Sequence, residues 1–243
     1  EHLRYIDASK NRLEEADSLA TLKGLLFVDL RQNALKRVPS FSNPYLQVVR
    51  LANNKIRSLE GVDAPALTMI SLDDNELGSL EGCGLLRRLE KMEARRNQVK
   101  STKGVGQFPR LRELYLEENK VDDLTDLDAL TKLERLHLNQ NAVTSLAPFA
   151  ALPSLCELHL GGNGVEKLEE VKELQALPKL RVLDLSENPV TETDNYRQEM
   201  LILLPRLVKL DGEKVTREEL EEAREVEKER RAEAARAAEA GEG

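Results

Sequence analysis

The chain has 243 residues, 40% hydrophobic and 33% charged, yet aromatics make up 3% and tryptophan is absent. A core of leucine, valine and isoleucine at that length points to one small unit used many times. A formal charge of −8 provides no general field for nucleic acid or an anionic membrane surface, and no apolar run approaches the roughly 18–20 residues that span a bilayer.

The two cysteines, Cys83 and Cys156, are too few for a disulfide framework and lack the paired spacing of a zinc site. They point to a reducing compartment such as the cytoplasm or nucleus. The chain starts at Glu1, inside a repeat and without a methionine, and so reads as a fragment.

In chain order, nine segments match LxxLxLxxN: 3–11, 25–33, 46–54, 67–75, 89–97, 111–119, 133–141, 155–163 and 180–188. They end on Asn11, Asn33, Asn54, Asn75, Asn97, Asn119, Asn141, Asn163 and Asn188. The steps are 21 or 22 residues, with one final step of 25. Residues three to seven of each unit are expected to form a strand, with the fourth and sixth side chains turned inward. The fourth position holds Ile6, Val28, Val49, Ile70, Met92, Leu114, Leu136, Leu158 and Leu183. A single unit cannot bury such a face alone and must stack on its neighbours. The asparagine is expected to turn the chain back and to hydrogen-bond backbone groups of adjoining turns, a structural role rather than a catalytic one.

The return halves, such as 123–133 and 145–155, carry leucines at mixed three- and four-residue spacing and predict short helical or 3₁₀ turns. Pro44, Pro65, Pro109, Pro153, Pro178 and Pro205 each stand two residues before the next leucine and end the convex turn.

Three segments follow from this pattern: a repeat array over 1–188, a cap over 189–215 and a charged helical tail over 216–243. In the cap, 193–204 has helical apolar spacing with Tyr196, Met200, Leu203 and Leu204 on one face. Pro205, Leu207 and Leu210 then carry a last strand-like edge ending at Asp211. No comparable cap precedes Leu3, which leaves that end for further repeats, a capping segment or a partner. In the tail, Thr216 and Glu219 have the spacing of a capping box, and 217–240 is rich in acid–base pairs one turn apart. Its apolar residues, Leu220, Ala223 and Val226, are too sparse for a coiled-coil seam. It reads as a solvated charged helix, with docking on an assembly as the functional alternative.

No glycine-rich phosphate loop, nucleophile elbow or kinase signature is present, and Gly161-Gly162 has no helix N-terminus after it to hold phosphate. Of the three histidines, His2, His137 and His159, the last two share one concave position in consecutive units, which sets them about 5 Å apart. Glu113, Glu134 and Glu157 lie close by in sequence, but Tyr115 and Asp184 flank the pair in its own column, with no strong third ligand there. The pair is read as exposed imidazoles. The expectation is no catalysis, no metal, no cofactor and no small-molecule substrate.

What remains is surface. The third position runs Tyr5, Phe27, Val48, Met69, then Lys91, Glu113, Arg135, Glu157 and Val182. Four aligned apolar residues suggest contact with a partner segment across the N-terminal half of the concavity, and Tyr115, the one aromatic farther along, is counted with them as a partner-binding residue.

The short unit with isoleucine or valine two residues past the asparagine, as at Ile56, Val121 and Val143, resembles one class of leucine-rich repeats. That class is typified by the nuclear regulator of a serine/threonine phosphatase. The 188–215 segment resembles the cap of the same class through Asn188-Pro189, Tyr196-Arg197, Leu204-Pro205-Arg206-Leu207 and Leu210-Asp211. The resemblance implies an α/β solenoid, a leucine-rich-repeat horseshoe. A cap followed directly by an acidic helix looks most like the radial-spoke leucine-rich-repeat proteins of the ciliary axoneme. That implies a protein-binding scaffold among axonemal proteins, in the cytoskeleton of a cilium or flagellum. Two relatives of the class imply other roles. A phosphatase regulator would carry aromatic and acidic anchors along the whole concavity, whereas here aromatics stop after Phe27 apart from Tyr115. A ribonucleoprotein module of the spliceosomal A-prime type works with an RNA-binding partner and has fewer repeats.

Overall fold

Alternating apolar residues make each unit a strand that can bury one face only, and the structure stacks these faces into one sheet. The computed structural model describes residues 3–84 and 86–241, with side chains described through residue 237. Among these residues lie β1 (Tyr5–Asp7), β2 (Phe27–Asp29), β3 (Val48–Arg50), β4 (Met69–Ser71), β5 (Lys91–Glu93) and β6 (Glu113–Tyr115). They continue as β7 (Arg135–His137), β8 (Glu157–His159), β9 (Val182–Asp184), β10 (Lys209–Leu210) and β11 (Glu213–Lys214). All eleven pair in chain order. Neighbours from β1 to β10 are parallel, and β11 returns antiparallel to β10. The architecture is a leucine-rich-repeat solenoid.

The strands are shorter than the five residues expected. Pairing covers three, because the chain then curls toward the asparagine turn. From there the ladder continues as single bonds, such as Leu30 N–H to Arg50 C=O (2.8 Å) and Gln32 N–H to Ala52 C=O (3.0 Å). The curl places the residue before each asparagine in the left-handed region, from Lys10 (φ 57°) to Glu187 (φ 57°). Gly162 holds this position before Asn163 (φ 67°), where a Cβ would run into the Gln140 amide. Gly161-Gly162 is therefore turn chemistry.

Each asparagine closes the turn with both ends of its amide. Asn97 Oδ1 accepts from Leu77 N–H (2.9 Å), while its Nδ2 donates to the carbonyls of Leu72, Ala94 and Arg95 at 3.0–3.1 Å. The same pattern recurs at Asn33, Asn54, Asn75, Asn119, Asn141, Asn163 and Asn188. Asn11 donates only within its own unit, to Ala8 and Ser9.

The convex side is partly irregular. One-turn 3₁₀ segments occur at Asp17–Thr21, Val105–Gln107, Leu127–Ala129, Ala147–Ala151 and Lys172–Ala176, the last preceded by α1 (Leu168–Val171). The described residues between β2 and β5 form no helix and return as turns and extended chain. Phe41, Phe108 and Phe149 lie buried under this side and fill the width that leucines alone leave open. Burial of such side chains contributes about 1.5–3 kcal/mol each.

The last unit meets α2 (Tyr196–Leu203), with Met200, Leu207 and Leu210 buried. Tyr196 and Leu203 are partly buried against the core, and Pro205 is exposed in the turn. Asp211 stands opposite Asp184 in the register, and its Oδ1 accepts from Leu185 N–H (2.7 Å), the bond that a next-strand carbonyl accepts in the inner units, as Asp184 C=O does from Leu160 N–H. Asp211 (φ 50°) and Gly212 (φ 82°) then form the two-residue hairpin that leads into β11.

The tail forms α3 (Arg217–Gly241), opened by the reciprocal Thr216–Glu219 box (2.7 and 3.2 Å). Its first half is docked. Ala223 is buried, Leu220 packs on the core, Arg197 Nε donates to Glu219 (2.6 Å), and Arg230 Nη1 donates to Glu199 (2.9 Å). Residues 228–237 are exposed. The solvated-helix reading thus fails for residues 217–227 and fits the exposed residues 228–237 apart from Arg230, because α2 lends α3 an apolar strip and two matched charges.

Two expectations follow. Asn97→Ala strands a buried N–H and buried carbonyls, so it should lower unfolding free energy by about 2–4 kcal/mol in urea titration. Asn11→Ala should cost under about 1 kcal/mol. The Arg197 guanidinium, with help from Thr216, holds Glu219 well down, at about 2. Its carboxylate therefore supports docking in full above its ordinary value near 4.5, and that support fades as pH falls toward about 2. Arg197→Ala should return the Glu219 titration toward 4.5, read by carboxyl NMR, and destabilise by about 1–2 kcal/mol.

Candidate functional site

In-register parallel strands turn each repeat position into a column on the concave face, with neighbouring residues about 4.8 Å apart. The third-position column starts with Tyr5, Phe27, Val48 and Met69 as direct partners in the sheet. Tyr5 is 67% exposed, and its ring centroid lies 6.3 Å from that of Phe27. Phe27, Val48 and Met69 are half-buried, and the Arg50 guanidinium lies 5.3 Å from the Phe27 centroid. The stripe exists, but its open end is Tyr5, and a long cation partly shields its middle. Arg31 beside the stripe is tied to the buried Asp29 carboxylate (2.6 Å).

From β5 onward the same column alternates in sign: Lys91, Glu113, Arg135, Glu157. Lys91 Nζ lies 3.5 Å from Glu113, Glu113 pairs with Arg135, and Arg135 Nε lies 3.5 Å from Glu157 Oε2. Beside it, Arg95 bridges Asp73 (3.0 Å) and Glu117 (3.1 Å). Opposite charges pair along and between the columns, with Glu117 Oε2 near Arg95 but without an aligned hydrogen bond, so the centre of the concavity is a charge lattice rather than an open acidic or basic patch.

Tyr115 does not extend the apolar stripe. It lies in the fifth-position column with Lys91 Nζ 4.9 Å and the Arg95 guanidinium 4.2 Å from its ring centroid. His137 follows on the next strand at 4.6 Å, and the Tyr115 hydroxyl donates to Glu113 (3.0 Å). Cations and an imidazole already occupy the ring.

His137 and His159 stack, with centroids 4.2 Å apart and an interplanar angle of 22°. A third potential ligand comes from the adjacent column, which reading a single column leaves out. Glu157 Oε1 reaches across to His159 Nε2 (2.8 Å) and His137 Nε2 (3.6 Å). On the far side of the rings, His137 Nδ1 faces Glu117 (3.3 Å) and His159 Nδ1 faces Asp184 (3.5 Å). Glu113 is committed to Tyr115 and Arg135, and Glu134 pairs with Arg112. Burial pulls the His159 pKa down, but hydrogen bonds to Asp184 and Glu157 outweigh it, and the net value is raised. The same contact, with Ser186, holds Asp184 at about 2. His2 lies outside the described residues.

Neither thiol resembles an activated nucleophile. Burial pushes Cys83 up to about 11, and burial also raises Cys156. Among the described residues no helix is long and apolar enough to cross a membrane.

Arg95→Ala would leave Asp73 and Glu117, both largely shielded from solvent, without their shared cation. The expected loss is about 1–2 kcal/mol, smaller at 0.5 M than at 0.05 M salt in paired urea titrations.

The comparisons agree with this geometry. A family model for leucine-rich repeats matches residues 27–150 and 130–239. Leucine-rich repeat-containing protein 23 of Xenopus tropicalis is 51% identical over 61 residues, 25% of this chain and 17% of that protein. Cilia- and flagella-associated protein 410 of Homo sapiens is 49% identical over 61 residues, 24% of each. The matched stretch is thus under a quarter of either relative's length. An internalin of Listeria monocytogenes superposes with a TM-score of 0.73 at 18% identity, covering 86% of this chain and 61% of that one, a likeness of fold alone. With the family model spanning most of the chain and the asparagine-closed units stacked as described, the chain belongs to the leucine-rich repeat family.

Proposed function

We propose that this chain is a non-catalytic protein-binding scaffold of the ciliary or flagellar axoneme, with the radial spoke as its assembly. The observation that carries the binding role is the exposed Tyr5 ring beside the half-buried Phe27, at the open end of an in-register apolar stripe. A rigid concave sheet holds such anchors at fixed spacing, so a partner segment loses little entropy against it beyond its own ordering. Val48 and Met69 extend the contact across β3 and β4.

The ciliary setting draws on the 49% match to a human cilia- and flagella-associated protein and on the cap that runs directly into an acidic helix. The exposed residues 228–237 of α3 supply a separate charged handle for a neighbouring subunit. The partners are proteins of one large assembly. A small-molecule substrate, a nucleic acid and a membrane have no place in this reading.

Affinity capture from ciliated cells followed by mass spectrometry should return spoke proteins with the wild-type chain. The Phe27→Asp/Met69→Asp variant should lose them at least about tenfold while keeping its circular dichroism spectrum. Recovery of a phosphatase or of splicing proteins instead, or unchanged capture by the variant, would overturn the assignment.

A further inference from the structure

We propose that His137, Glu157 and His159 form a binding site for one divalent transition-metal ion of the zinc class, clamping the seventh and eighth repeats on the concave face. Three ligand atoms, one from each residue, lie within 4.8 Å of one another. Zinc bonds of about 2.0–2.2 Å in a tetrahedron need ligand atoms roughly 3.3–3.5 Å apart. Metal binding therefore requires the ligand atoms to draw together and one imidazole to tilt out of the 22° stack so that both Nε2 lone pairs meet at one point.

Four features beyond proximity point to a metal. First, His137 Nε2 is buried without a hydrogen-bond partner, and Glu157 Oε1, at 3.6 Å, is too far to supply one. A bound cation would satisfy that nitrogen. Second, the two oxygens of Glu157 are divided: Oε2 faces Arg135, and Oε1 faces the two imidazoles. Coordination through Oε1 therefore leaves the charge lattice intact.

Third, both rings carry a carboxylate behind them, Glu117 at His137 Nδ1 and Asp184 at His159 Nδ1. That arrangement fixes a ligating histidine's tautomer and strengthens it as a donor. Fourth, three carboxylates converge here, while only Glu117 and Glu157 have a guanidinium, Arg95 and Arg135 respectively. With neutral imidazoles the cluster keeps an excess of negative charge.

Two nitrogens and one oxygen favour zinc, cobalt, nickel or copper over calcium and magnesium, which prefer all-oxygen sites. Three protein ligands leave a fourth position open toward the groove, for water or for a partner's side chain. The site lies three strands away from the apolar stripe, in β7 and β8 against β1–β4, and stands whether or not the axonemal reading does.

The test is titration of the tag-free 243-residue chain with zinc chloride by calorimetry at pH 7.5, with cobalt chloride as a spectroscopic probe. One equivalent should bind, and cobalt should show the intense visible bands of a four-coordinate site without the near-ultraviolet band of thiolate ligation. His137→Ala and His159→Ala should each weaken zinc binding more than about tenfold, and Glu117→Gln or Asp184→Asn by about tenfold. Imidazole NMR signals of both histidines should move on zinc addition to the unaltered chain, a readout independent of whether any variant folds. Absence of equimolar zinc uptake, unmoved imidazole signals, or full uptake by a folded His137→Ala/His159→Ala chain would each overturn the proposal.

Discussion

At the end of each strand the chain must reverse, and the backbone groups in that turn cannot join a sheet ladder. One asparagine amide solves this, accepting from the preceding unit while donating to carbonyls of both units, as Asn97 does for Leu77, Leu72 and Ala94. Aspartate could not donate, and glutamine would place its amide one methylene too far. Left unpaired, such buried groups cost about 1–3 kcal/mol each, so the ladder is a condition for stacking rather than an addition to it. It also imposes the left-handed residue before it, which most units supply with an ordinary side chain and one supplies with Gly162.

Fixed stacking holds the strands in register, and register decides the surface. Residues at one repeat position become neighbours about 4.8 Å apart, where like charges would repel. The alternation Lys91, Glu113, Arg135, Glu157 is the answer to that spacing. Because opposite charges pair along this lattice, the concave face divides into an apolar N-terminal end, a charge-paired centre and a histidine–carboxylate cluster near the cap. The cap in turn supplies Arg197, which reaches the Leu210 carbonyl (3.4 Å), the Lys214 carbonyl (3.3 Å) and Glu219, and so joins the last strands to the tail.

Much of this could be read from residue spacing. Nine asparagines at 21–25-residue steps named the units, the inward leucines, the column order and the cap, because a repeat that stacks on its own copy has one register available. The Asp211-Gly212 hairpin is legible as a turn dipeptide after a strand-like flank, while apolar spacing alone marks Asp211 only as the end of an edge. Phe41 and Phe149 stand eight residues past their asparagines, where other units place Val62, Cys83, Val105, Leu127 and Val171, so the buried position was legible while the size of its side chain varies from unit to unit.

The sequence by itself determined the solenoid and which side chains face the concavity, since periodicity and alternation are local properties of a short unit. Tertiary structure alone decided how neighbouring columns meet. Reading one column at a time put Tyr115 among the partner anchors and left the histidine pair without a third ligand. In the folded chain Lys91 and Arg95 cover Tyr115, and Glu157 reaches sideways to both imidazoles. The docking of α3 was decided in the same way, by Arg197 and Glu199 on another helix. Long side chains span more than one column, and where they settle depends on charges and rings that only stacking brings within reach.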